Sequence, residues 1–269
     1  MGALGAGAGL TGATVRASRA VRIFGGPSAE RPLALALIDD ARLLCVTAGE
    51  VELFRMSDTD ATLVSHVPLP DQRHRVRAPA ALISLDASGL AAWVLSNQDE
   101  RAHLVSIDGE RLGLAAEAEA LPWQGSTSGL RYRDGTDWIE GDLDGLGTGP
   151  FLAIAREDGV VVVSTVGALL REKGDATRDE GLRIVGPMLA PLWPGVLATS
   201  TAQPPGTLDR IVFLERGATA FEEVGNIPED GAIRALAGRV SKDGAWLVAV
   251  IETGKSYDVS RLRLERVGP

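Results

Sequence analysis

The chain has 269 residues, 45% hydrophobic and 23% charged, which is too apolar for disorder and enough to bury a substantial core. A formal net charge of −9 and a pI near 4.9 argue against a phosphate-backbone partner, and hence against nucleic acid. The single cysteine, Cys45, excludes an intrachain disulfide and a multi-cysteine metal site, and the apolar run around it predicts a buried, inert thiol.

The opening residues 1–13 are small and Gly-rich, with no positive region before them, and make a poor signal peptide. Arg16, Arg19 and Arg22, with no acid before Glu30, faintly resemble a transit peptide. The myristoylation pattern fails at Ala6, and the glycine run lacks the preceding strand and following helix of a dinucleotide loop. No stretch approaches the roughly 18 apolar residues of a membrane span, so no transmembrane segment is expected.

Strand patterns then dominate in chain order. Residues 20–24 read as a spare strand. Residues 32–38, 43–47, 51–56 and 62–67 follow, separated by Asp39-Asp40, Gly49 and a turn over 57–60. That is four antiparallel strands in under ~45 residues, the size of one propeller blade.

The unit recurs. Residues 81–85, 90–95 and 102–107 repeat its first three strands; 138–142, 151–155 and 160–164 repeat them again. A looser copy follows at 188–192, 196–199 and 211–214, and a fifth copy at 234–240, 246–251 and 261–266. Residues 112–120 have the composition of a short helix but read equally as an outer strand and loop. A repeat of roughly 50 residues predicts an all-β protein, a β-propeller of about five four-stranded blades. An open two-sheet sandwich, the main structural rival, has no reason to repeat one hairpin at a fixed period. The last copy lacks a fourth strand, and residues 20–24 are expected to supply it and close the ring. Residues 1–19 are thus expected to be a flexible or extended N-terminal segment, and 20–269 the propeller domain.

Residues 141–164 read GDLDGLGTGPFLAIAREDGVVVVS. This stretch resembles the FG-GAP or VCBS repeat of integrin-like β-propellers: a Gly-Asp-rich turn, an apolar strand, then a second strand opening on Asp-Gly. The resemblance covers one blade and implies an exported or cell-envelope setting, whereas the absence of a signal peptide points the other way. It also implies a calcium loop with oxygen ligands at alternate positions. Asp142 and Asp144 occupy the first and third of these, but Leu146 and Pro150 stand where two further ligands belong. A metal-free structural turn, binding calcium weakly at most, is therefore expected.

The remaining chemistry is sparse. Asp134, Asp137 and Glu140 extend the acidic cluster and read as a solvated loop. Arg73, Arg75 and Arg77 read as a solvated edge that discourages strand pairing. Trp93, Trp138, Trp193 and Trp246 read as packing between blades. His66, His74 and His103 share no metal-ligand spacing, and no nucleophile elbow, P-loop or zinc-helix motif occurs. The expected function is a non-enzymatic protein-interaction scaffold or accessory subunit without catalytic residues or cofactor. The alternative is an enzyme or small-ligand binder with its site in the central channel.

Overall fold

The computed structural model describes residues 14–70, 79–99, 101–123, 129–132, 139–141, 153–157, 160–164, 168–172, 175–179, 188–200, 209–217 and 221–268. The runs of β-branched and aliphatic residues become strands, and consecutive strands pair antiparallel. β1 (Thr14–Ala17) and β2 (Val21–Pro27) lead into a single 3-10 turn. β3 (Ala34–Leu37), β4 (Arg42–Val46), β5 (Glu50–Met56) and β6 (Ala61–Pro68) form one four-stranded sheet. β7 (Ala81–Leu85), β8 (Ala91–Ser96), β9 (Ala102–Asp108) and β10 (Arg111–Ala118) form the next. β11 (Leu130–Tyr132) and β12 (Ile139–Gly141) make a two-stranded sheet.

Two more four-stranded sheets follow. One comprises β13 (Ala153–Glu157), β14 (Val160–Ser164), β15 (Ala168–Glu172) and β16 (Asp175–Asp179). The other comprises β17 (Leu189–Pro191), β18 (Val196–Ser200), β19 (Asp209–Arg216) and β20 (Phe221–Glu229). Finally β21 (Ala232–Ser241), β22 (Gly244–Thr253) and β23 (Ser256–Val267) join β1 and β2 in a five-stranded sheet.

The sheets stand in a propeller arrangement. Their first strands are neighbours, β7 beside β3, β3 beside β21, β21 beside β17 and β17 beside β13. The three largest buried clusters lie between sheets, as a propeller requires. One joins Leu43, Phe54 and Met56 to Val248, Val250 and Val259. The next joins Leu44, Val51 and Leu53 to Ala92, Val94 and Val105. In these clusters each sheet covers an apolar face of its neighbour, which no isolated small sheet can do for itself.

The expectation of about five four-stranded blades needs correction. Among the described residues, four sheets have four strands, the sheet that joins the chain ends has five, and β11 and β12 form a separate pair. The third copy was misgrouped for a physical reason. Ile139–Gly141 pairs back onto Leu130–Tyr132, while the hairpin of β13 and β14 acquires its third and fourth strands from β15 and β16. A three-residue strand carries too little alternation to say which neighbour it joins. Residues 112–120 prove to be mostly edge strand β10, because pairing with β9 outweighs the local helix preference of an Ala- and Glu-rich run.

The chain ends close as expected, and the closing strand begins earlier. β2 pairs with the first half of β23 and β1 with its last four ladder positions, from Ala17↔Leu264 to Thr14↔Val267. Ser18 bridges the break between them: its N–H donates to the Arg263 carbonyl at 2.8 Å, and its Oγ accepts the Arg263 N–H at 3.0 Å. β1 also lies against β20, where a Cβ on Gly225 would sit 2.7 Å from the Val15 carbonyl oxygen.

One device recurs in the outermost strands. β6, β10, β20 and β2 each contain a single bulged residue: Val64, Ala115, Val224 and Ile23. An extra residue raises local twist and spoils an edge for further pairing. Ile23 is buried, and Val64 and Val224 pack against the core, so the bulge also turns an apolar side chain inward.

Candidate functional site

Asp142 and Asp144, the expected calcium pair, lie outside the described residues, as do Asp134, Asp137, Trp138, Arg73, His74, Arg75 and Arg77. Among the described residues, no group of three or more His, Cys, Asp or Glu side chains is placed to hold a metal ion. Trp93, Trp193 and Trp246 each pack partly buried against a core cluster. Trp123, which the repeat did not single out, is buried with Leu121, Leu130 and Tyr132 against Leu82 and Leu95.

Cys45 is fully buried on β4, opposite Glu52 of β5. Burial, and then the charge of Glu52, pushes its thiol well above the ordinary range. The thiolate is the reactive form, so a maleimide reagent should leave native protein unlabelled over hours and react once it is unfolded. Rapid native labelling would contradict this.

Polar side chains gather at three places. The first is the seam between the closing sheet and the β3–β6 sheet. In an antiparallel blade, the first-to-second and third-to-fourth turns emerge on the same side, and here those turns are tied to the next sheet. Arg261 of β23 is 5% exposed. Its Nη1 donates to the Ser57 carbonyl at 2.9 Å and its Nη2 to the Asp40 carbonyl at 2.7 Å. Its guanidinium carbon lies 3.7 Å from the centre of the Trp246 ring, a favourable cation–π geometry. Burial lowers its pKa, while the charges of Asp58 and Asp40 oppose that effect. Ser241 Oγ donates to Asp40 Oδ2 at 2.6 Å, and Arg239 Nη1 to the Leu37 carbonyl at 3.3 Å.

The same face continues to the β7–β10 sheet. Arg42 Nη1 donates to the Gly109 carbonyl at 2.9 Å, and Arg55 pairs with Glu110 at 2.8 Å. The outer strands β6 and β10 also meet, the Leu112 N–H donating to Ser65 Oγ at 3.1 Å. The Asp86–Gly89 turn is built as its sequence suggests. Asp86 Oδ1 accepts the N–H groups of Leu90 and Ala91, and Gly89 takes a φ of +68°, where a side chain would be strained.

The second place is within the β7–β10 sheet. His103 is 3% exposed, its Nε2 bonded to Asp99 and its Nδ1 3.9 Å from Glu117 Oε1. Ser96, Asn97 and Gln98 are buried beside it in sequence, and Asn97 Oδ1 accepts the Ala80 N–H at 2.9 Å. A legible signal existed: Asp99 and His103 stand four apart across a tight turn. The third place is the crossover from β20 to β21, where Asp209 and Glu229 face each other across the ladder.

No family model matches the chain, and no curated protein matches it. The FG-GAP resemblance therefore rests on residues 141–164 alone. The chain is similar in structure to β-propeller proteins. The soluble aldose sugar dehydrogenase of Escherichia coli, in its apo form, aligns at 12% identity over 94% of this chain and 100% of that one, with a TM-score of 0.50. A chain of the mitotic checkpoint complex aligns at 9% identity over 100% of this chain and 97% of that one, with a TM-score of 0.53. Likeness at these identities is a likeness of fold.

Proposed function

We propose that this propeller is a non-enzymatic protein-interaction scaffold or accessory subunit, with the closing sheet serving as its fifth blade. The carrying observation is where its buried polar groups direct their bonds. Arg261 holds carbonyls of the neighbouring sheet, Asp209 holds a backbone N–H of the next blade, and His103 bonds to Asp99 of its own hairpin. Arg261 and Asp209 tie neighbouring sheets together, and His103 ties its own hairpin. The turn face that Arg261 braces carries Asp39, Asp58, Asp60, Asp86, Asp108, Glu110 and Asp243, more acids than the Arg42 and Arg55 that share it, with Leu90 60% exposed among them. Such a face suits a basic protein segment as partner, by charge complementarity. The sugar dehydrogenase likeness adds no activity to this reading, because fold does not carry function.

The test is to purify the native assembly, measure its stoichiometry by native mass spectrometry and map contacts by cross-linking. A stoichiometric protein partner contacting the turns near Asp60, Leu90 and Asp243 is expected, with loss of that partner in Leu90→Arg. A small molecule retained at one per chain, in place of a protein partner, would overturn the scaffold reading in favour of a channel ligand.

Calcium belongs to the same proposal as a weak ligand at most. Titration calorimetry should show no tight site. A sub-micromolar Kd abolished by Asp144→Ala would show that Asp142 and Asp144 recruit ligands from outside their own loop.

A further inference from the structure

The crossover from β20 into β21 gathers carboxylates at a junction of two sheets. Asp209 opens β19, Glu229 closes β20, and the two are directly opposite in the ladder; Asp230 follows at once. Side chains opposite each other in an antiparallel pair leave the same face with Cβ atoms roughly 4.5–5.5 Å apart. Asp209 is 7% exposed. Its Oδ1 accepts the Arg210 N–H at 2.8 Å, and its Oδ2 accepts the N–H of Ile233 at 3.1 Å. That second bond crosses from one sheet to the first strand of the next, in a buried setting.

Glu229 is placed differently. Its Oε1 is shut off from solvent with no hydrogen-bond partner among the described residues. Burial, then the charges of Asp230 and Asp209, push its carboxyl up to about 7. Among the described residues, neither Arg210 nor Arg234 answers it. Arg210 is one step along β19 and so leaves the opposite face of the sheet. Arg234, the bulged residue of β21, is bonded to Glu252 of β22 at 2.6 Å.

We propose that Glu229 carries a proton in the folded chain while Asp209 opposite it stays ionised, and that this proton keeps the crossover seated against β21. With Glu229 protonated, the pair carries a single negative charge, and Asp209 keeps its bond to Ile233. When Glu229 ionises, two carboxylates face each other at a site that burial makes unfavourable for either charge. The least costly relief is for residues 229–232 to move toward water, which breaks the Asp209–Ile233 bond and frees the start of β21. The folded state binds this proton more tightly than the unfolded chain does. Stability from this group is therefore full below the ordinary glutamate range. It falls as pH rises towards about 7 and is flat above that.

The test is a carbon-13 NMR titration of the Glu229 carboxyl in the wild-type chain, with amide exchange of residues 229–235 at pH 6 and pH 8. Exchange is corrected for its intrinsic pH dependence. The expected midpoint lies near 7 and drops in Asp209→Asn, whose side chain still accepts from Ile233. Corrected exchange should rise with pH, by at most about tenfold per pH unit for one proton, and the rise should vanish in Glu229→Gln. A midpoint in the ordinary glutamate range, or the same pH dependence in Glu229→Gln, would overturn the proposal. If Glu229→Gln does not fold, the wild-type titration decides by itself.

Discussion

A chain that begins at Pro27 is expected to aggregate or fall to protease at temperatures where the full chain is intact. Such a truncation removes β1 and all of β2 but Pro27, and with them every ladder partner on the outer side of β23 except the one opposite Ser256. It also uncovers apolar surface. Val15 is 6% and Ile23 3% exposed, and they belong to two different clusters on either side of the closing sheet. Phe24 stacks on Phe54 at 4.4 Å and meets Tyr257 edge-on at 6.4 Å. Burying each aliphatic side chain contributes roughly 1.5–3 kcal/mol, and an aromatic pair adds roughly 0.5–1.5 kcal/mol. The sum is comparable with the ~5–15 kcal/mol that holds a typical domain folded. Size-exclusion chromatography and thermal melting of the truncated chain decide the matter. A monodisperse protein with an unchanged Tm would mean that the N-terminal strand does not close the ring.

The second large effect is expected from Arg261→Met. The substitution keeps a long apolar stem but removes both donors to the Ser57 and Asp40 carbonyls and the cation over Trp246. Hydrogen bonds from a charged donor contribute roughly 1.5–3 kcal/mol each. A fall in Tm on the order of 10 °C follows for a chain of this size. Arg263→Met is the control: Arg263 lies two residues along the same strand, is exposed, and its side chain donates to the Asp243 carbonyl at 3.1 Å. Equal losses in the two variants would show that β23 tolerates no change of length or charge, and that Arg261 is no special tie between sheets.

These two effects concern one seam, which gives it a mechanical meaning. The closing sheet is held to the β3–β6 sheet by side chains reaching turn carbonyls, and to its own missing strand by the N-terminus. A scaffold presenting a turn face to a partner needs those turns fixed relative to one another. Arg42 and Arg55 extend the fixing to the following sheet. The surface pairs among them are exposed and contribute little to stability by themselves, so they matter chiefly for register between neighbouring turns.

Much of the architecture was legible locally. The four strands of the first blade, the turns at Asp86–Gly89 and Asp243–Gly244, and the spare N-terminal strand are all written in alternation and turn chemistry. Those depend on residues close together in the chain. What the sequence by itself determined was therefore the strand content, the repeat and the need for a closing strand. The grouping of strands β11 to β16 was decided only in three dimensions, because strands of three to five residues carry too little alternation to specify a partner. The polar sites were decided there too. Arg261 finds the Ser57 and Asp40 carbonyls more than 200 residues away along the chain. Asp209 and Glu229 become opposed only once β19 and β20 settle their register around the bulge at Val224. No local pattern marks a side chain whose partner arrives from another blade, since its environment is made by closing the ring.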